Sequence, residues 1–259
     1  MTAIDGALVV VTGAGSGIGR ATVDLLGQRG ARVAAVDLDQ EAAAAAAAAA
    51  GGTAHQADVA DAGAMTRLAE TLGGIPDVLV NNAGVGLTGR FLDTTAADWE
   101  WILGVNLWGV VHGCRAFVPA MLARGSGHVV NVSSGLAYTP RATEPAYVTT
   151  KAAVLALSQC LRADWAPRGV GVSVVCPGVI DTPIAARTRY RGDRVAAIGR
   201  VRRLFSHGHP PALVARAVVT AIERDRLMVP VGLEARVGWL LHRVLPLRAV
   251  EALAGAGGI

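Results

Sequence analysis

Short stretches dominated by valine, leucine, isoleucine and alanine recur along the chain, at residues 7–11, 31–36, 77–80, 128–132, 170–175 and 227–231. A continuous apolar run, as opposed to strict alternation, marks a strand covered on both faces, which is the condition of strands in a parallel sheet. A weaker stretch over 53–57 predicts one more. The intervening segments are longer and helical in character. Residues 42–50 are an unbroken alanine run with Glu41 in front and Gly51-Gly52 behind, a strong helix former closed by a glycine stop. Residues 95–123 predict a long helix with Asp98 near its start and Pro119 bending or breaking it late. Further helices are predicted over 147–165 and 211–224. Strand and helix alternate throughout with no linker or repeat, so the expectation is a single α/β domain over 1–259, a doubly wound parallel sheet of about seven strands with helices on both faces. Residues 183–210 lack a strong period and are expected to form a mobile lid.

Composition sharpens this picture. The 259 residues are 52% hydrophobic and 17% charged, rich enough in apolar side chains for a sheet buried on both sides. The formal charge of +4 comes from scattered arginine without interleaved aromatic residues, which argues against a nucleic-acid partner. Cys114, Cys160 and Cys176 are odd in number and unclustered, so neither a disulfide framework nor a metal site is expected. The start has no basic region, and the run at 8–11 is too short for an export signal or a membrane span, which predicts a cytoplasmic protein.

The first strand leads into T-G-A-G-S-G-I-G at residues 12–19. Gly13, Gly17 and Gly19 permit a tight turn through which backbone N–H groups and the positive end of the next helix can hold a pyrophosphate. Asp37 ends the second strand about 20 residues on, where a carboxylate can accept from the adenosine ribose hydroxyls and repel a 2′-phosphate. With Leu38 after it, and Ser16 at the loop position open to a phosphate-binding arginine, NAD is expected over NADP. Asp58 ends the third strand and either touches the adenine edge or caps the helix at Asp61. Small residues at 81–84 leave room for a flat ligand.

Lys151 is the only lysine in the chain, and it stands four residues after Tyr147. On a helix the two share a face. An ammonium is a compact point charge that a guanidinium cannot imitate, and a cation beside a phenol favours the phenolate, so Tyr147 is expected to have a lowered pKa and to act as an acid or base. Asn106, mid-helix, has no helical advantage.

Five features in order, T-G-A-G-S-G-I-G at Thr12, D-V at Asp58, N-N-A-G at Asn81, S-S followed by Y-V-T-T-K, and P-G-V-I-D-T at Pro177, make nearly the whole chain resemble the short-chain dehydrogenases/reductases in their single-domain, Rossmann-like form. The resemblance implies Tyr147 as general acid/base, with Lys151 lowering its pKa and binding the nicotinamide ribose. It selects Ser134 over Ser133 to hold the substrate oxygen, and makes Asn106 the support of a water beside the lysine. It also implies cofactor contacts from Gly13, Ser16, Gly17, Ile18 and Gly19 in the turn, from Asp37, Leu38, Asp58 and Val59, from Asn82, Ala83 and Gly84, and from Pro177, Gly178, Ile180 and Thr182. Thr150 replaces the commoner serine before the lysine, and Glu144-Pro145 is an unusual approach to the tyrosine.

Leu136, Tyr138 and Ile184 are expected to line an apolar substrate pocket with Ser134 and Tyr147. The implied activity is hydride transfer between NAD and a lipophilic secondary alcohol or its ketone, such as a steroid, terpenoid or long-chain compound. The lid arginines keep an alternative open, a 3-oxoacyl-thioester reductase using them for an anionic handle. A sensor that binds the dinucleotide without turnover is a third reading. In the tail, Leu233, Val237, Leu240, Leu241, Val244 and Leu245 form an apolar helical stripe, expected to cover the substrate mouth or a neighbouring subunit, with contact to a membrane surface less favoured. The family resemblance implies a homodimer or homotetramer.

Overall fold

The computed structural model describes residues 2–246, 248 and 249. Seven parallel strands form the main sheet: β1 (Leu8–Thr12), β2 (Arg32–Asp37), β3 (Thr53–Gln56), β4 (Val78–Asn81), and, after a short β5 (Leu87–Thr88), β6 (Gly127–Val132), β7 (Val170–Pro177) and, after a short β8 (Arg189–Tyr190), β9 (Met228–Val231). Their order is β3-β2-β1-β4-β6-β7-β9. The direction of travel therefore reverses between β1 and β4, and the crevice beyond their carboxyl ends is where such sheets take ligands. The sheet matches the strands expected from the apolar runs, each within two residues at either end.

Side-chain alternation along each strand separates two cores. Val9, Val11, Val33, Ala35, Val78 and Val80 face one layer. Val10, Ala34, Val36 and Leu79 face the other. The helices are α1 (Gly17–Gln28), α2 (Gln40–Ala50), α3 (Ala62–Thr71), α4 (Ala96–Leu103), α5 (Gly109–Arg124), α6 (Pro145–Trp165), α7 (Ile184–Arg187), α8 (Ile198–Ser206), α9 (Pro211–Arg224) and α10 (Leu233–Val244). The alanine run of α2 has a packing reason. Ala43, Ala46 and Ala47 are buried, and a Cβ added to Gly27 of α1 would lie 2.7 Å from the Ala50 Cβ, so neither helix has room for a larger side chain at the crossing.

Three expectations need correcting. Pro119 does not break its helix; α4 and α5 run on as one rod, and the irregularity is a π-helical turn at Gly104–Trp108 that carries Asn106. The lid is not structureless: it contains α7, β8 and α8, and β8 pairs with β5. The tail helix α10 sits at the substrate mouth with its other face inward. Ala235 and Gly238 are buried, and the expected apolar stripe, from Leu233 to Val244, is exposed. Small residues on the inner face let α10 lie close against Tyr138 and Thr139, which its leucines could not do. The part of the predicted tail at 247 and 250–259 lies outside the described residues.

Candidate active site

The carboxyl ends of β1, β2, β3, β4, β6 and β7, together with the start of α6, bring the sequence motifs to one edge of the sheet, around a cavity of about 830 Å³. At one end is the glycine turn. The Thr12 hydroxyl accepts from the backbone N–H groups of Asn82 and Ala83, both at 3.1 Å, and the Asn82 amide donates to the carbonyls of Thr12 at 2.9 Å and Gly13 at 3.1 Å. The turn and the end of β4 are thus one unit. Thr12 was not singled out from sequence, though a hydroxyl at the entry of a glycine turn was the available signal. Gly19 does not reach the cavity; a Cβ there would fall on the Gly13 carbonyl oxygen, so only glycine fits.

Asp37 lines the same end. Its carboxylate accepts from Gly15 N–H at 2.8 Å and Asp39 N–H at 3.1 Å, fixing it beside the turn with lone pairs left for a ligand. Leu38, 65% exposed, forms an adjoining wall. Asp58 borders the cavity but accepts from Ala60 N–H at 2.9 Å within its own turn, while Asp61 caps α3 through Gly63 N–H.

The other end holds the titratable groups. Lys151 is buried, and its ammonium donates to the Val132 carbonyl at 3.1 Å and stands 5.8 Å from the centre of the Tyr147 ring. Burial pulls the Lys151 pKa down to about 8. Burial pushes the Tyr147 phenol up to about 12, a hydrogen bond with Ser134 lowers it, and the Glu144 carboxylate raises it. The expected depression of the tyrosine pKa is therefore reversed in this structure: desolvation of the phenolate outweighs the favourable contacts. Both serines border the cavity; the Ser133 hydroxyl donates to the Lys151 carbonyl at 2.7 Å, tying helix α6 to the end of β6, while the Ser134 hydroxyl accepts from Leu136 N–H at 3.2 Å.

Asn106 supports the centre without lining the cavity. Its carboxamide pairs with the Val85 backbone in both directions, at 2.8 and 3.0 Å, and donates to Thr150 Oγ1 at 3.2 Å. A Cβ on Gly84 would lie 3.4 Å from both Asn106 Oδ1 and Lys151 Nζ, so Gly84 keeps the floor flat between them. Tyr138, expected in the substrate pocket, belongs elsewhere: it is buried, donates to the Ala235 carbonyl at 2.8 Å and meets the Trp239 ring edge-on, anchoring α10. Leu136 and Ile184 do line the cavity.

Residues outside the set expected to form the site complete the walls. Trp101, Val201, Leu204 and Phe205 add apolar surface, and Glu100, Arg141, Glu144, Arg187 and Glu234 add charge. Burial raises the pKa of Glu144 and the arginines at 141 and 194 lower it. Glu234 of α10 accepts from Val179 N–H at 2.8 Å and faces His209 Nε2 at 3.1 Å, tying the mouth to the end of β7.

The free N–H groups at the start of α1, the Asp37 carboxylate, the flat floor at Gly84 and the Lys151 ammonium fit a nicotinamide dinucleotide in sequence, and the cavity lies near the upper end of the ~300–1,000 Å³ range of ligand sites.

Comparison with known proteins agrees. The family model described as short chain dehydrogenase matches residues 7–191. "Probable oxidoreductase EphD" of Mycobacterium tuberculosis is 44% identical over 255 residues; the match takes in 92% of this chain, which spans 43% of that relative's length. "D-threitol dehydrogenase" of Mycolicibacterium smegmatis is 36% identical over 226 residues, covering 84% of this chain and 86% of the relative. A short chain dehydrogenase/reductase from Burkholderia phymatum, solved in complex with NAD, superposes with a TM-score of 0.88 at 29% identity, covering 97% of this chain and 96% of that one.

Proposed function

This chain belongs to the short chain dehydrogenase family, and from that premise we propose that it interconverts a lipophilic secondary alcohol and its ketone with NAD. The observation that carries the reading is that Ser134, Tyr147 and the Lys151 ammonium, which stands 5.8 Å from the centre of the tyrosine ring, all line one cavity whose far end presents Asp37. When bound, the dinucleotide supplies or accepts the hydride. The Tyr147 oxygen takes the alcohol proton during oxidation and returns it during reduction. Ser134 holds the substrate oxygen and offsets charge developing on it. Lys151 favours the phenolate electrostatically, against the burial and the Glu144 charge that oppose it. Asn106 and Thr150 keep the helix turn that carries these groups in place.

Asp37 supports NAD over NADP, because a fixed carboxylate beside the turn disfavours a 2′-phosphate. Trp101, Leu136, Ile184, Val201, Leu204 and Phe205 support an apolar substrate. A second reading, a hydroxyl-rich substrate, is favoured by Glu144 in the same wall and by the similarity to a threitol dehydrogenase. The thioester alternative draws less support, since Arg189 and Arg191 are engaged by Asp98 and Arg200, Arg202 and Arg203 are exposed on α8. The test is to follow reduced nicotinamide by absorbance with NAD across secondary alcohols of graded length, tetritols and hexitols, and 3-hydroxyacyl thioesters. Turnover of the long apolar alcohols is the expected result. Turnover confined to polyols or to thioesters replaces the substrate reading, and silence with NADH still bound favours a dinucleotide sensor.

A further inference from the structure

Seven arginines fall between residues 187 and 203. Arg191 and Arg189 stand 2.6 and 3.6 Å from Asp98, and the Arg189 guanidinium stacks on Trp101 at 3.7 Å. Arg194 lies 3.4 Å from Asp193, and Arg200, Arg202 and Arg203 are exposed on α8. Of the seven, Arg187 alone lines the cavity, and its Nη1 donates to Ser16 Oγ in the glycine turn at 3.4 Å.

That placement is electrostatically awkward for the chain alone. Ser16 is the cap residue of α1, yet its hydroxyl caps no backbone N–H, and the first turn of α1 has no acidic side chain. The positive end of the helix and the guanidinium thus adjoin with no carboxylate of that turn between them, an arrangement that becomes favourable when an anion lies there. The segment that carries Arg187 is anchored on both sides, while the side chain itself is exposed and reaches Ser16. Thr182 packs so closely on the turn that a Cβ on Gly17 would lie 2.9 Å from its methyl group, and β8, two residues after Arg187, is paired to β5 and followed by the Arg191–Asp98 ion pair. An anchored backbone keeps the guanidinium within reach of the glycine turn, so that part of the ordering cost of binding is already met.

We propose that Arg187 is a cofactor-binding residue, a clamp on the pyrophosphate of the dinucleotide from the lid side, opposite the N–H groups of α1. The inference rests on the dinucleotide reading of this cavity. It makes the lid's first turn part of the cofactor site, and separates Arg187 in role from the six other arginines.

The test is calorimetric titration of the full chain, as wild type, Arg187→Ala, Arg187→Lys and the exposed-surface control Arg200→Ala, with NADH, ADP-ribose and NADPH. Thermal melts establish that each variant folds. Arg187→Ala is expected to weaken NADH and ADP-ribose alike by about tenfold, with a shallower dependence of Kd on salt, and lysine is expected to restore part of the loss as an unforked charge. Arg200→Ala is expected to bind as wild type. Equal NADH affinity in wild type and Arg187→Ala, or an equal loss in Arg200→Ala, would overturn the clamp. A loss seen with NADPH and not with NADH would also overturn it, by assigning Arg187 to a 2′-phosphate. Wild type that binds none of the three would overturn the dinucleotide reading itself, and the clamp with it.

Discussion

Arg191 grips Asp98 with two prongs, Nη2 to Oδ1 at 2.6 Å and Nε to Oδ2 at 2.9 Å, joining residues 93 apart in the chain. Asp98 is 2% exposed and also completes a capping box with Thr95 at the start of α4, so one carboxylate closes a helix end and fastens the lid. The Arg191 guanidinium, through its hydrogen bonds, holds the Asp98 carboxyl well below the usual carboxylate range.

Replacing that carboxylate loosens both elements. Asp98→Asn is expected to destabilise the protein by about 2 kcal/mol, short of the roughly 3–5 kcal/mol of a fully buried pair because the Arg191 side chain is 38% exposed. A carboxylate with a depressed folded pKa stabilises above its unfolded value and loses that contribution as pH falls. The difference between wild type and Asp98→Asn in denaturant melts should therefore stay constant from pH 8 to pH 5 and shrink only below about pH 4. A difference that vanished near pH 6 would place the stabilisation elsewhere.

The lid shows where sequence reading stopped. Its seven arginines were visible, but nothing in their spacing said that two would meet an aspartate 91 and 93 residues away or that a third would turn back to Ser16. Periodicity is local, whereas these partners are set by how β8 docks on β5. The parallel strands were legible because burial on both faces leaves continuous apolar runs, and helix α6 because Tyr147 and Lys151, four residues apart, share one face. Tyr138 misled for the same reason: adjacency to Ser134 in sequence suggested the pocket, but the turn after Ser134 sends the ring beneath α10, where its hydroxyl finds the Ala235 carbonyl.

Tyr138→Phe tests that reassignment. Removing the hydroxyl leaves a buried carbonyl without its donor and should cost about 1–2 kcal/mol of stability, while turnover of the alcohol substrate stays at the wild-type level. Lost turnover with unchanged stability would return Tyr138 to the substrate pocket.

Glu144 raises the Tyr147 pKa through its charge. Removing that charge favours the phenolate, so Glu144→Gln should move the rising limb of the pH profile for alcohol oxidation to lower pH, with NADH affinity unchanged. A profile that stays in place, or moves upward, would show that Glu144 does not act on the tyrosine.

The central claim is that Tyr147 moves the proton while the rest of the cavity binds. The most direct measurement is Tyr147→Phe, with steady-state turnover of the best alcohol from the panel and NADH affinity determined on the same preparation. Phenylalanine keeps the ring and removes only the oxygen, so turnover should fall to no more than about a hundredth of wild type, the scale of a lost general acid/base, while NADH affinity remains near wild type. Tyr147→Phe that retains a tenth of wild-type turnover or more would contradict the account, and the acid/base would have to be sought among other groups facing the cavity.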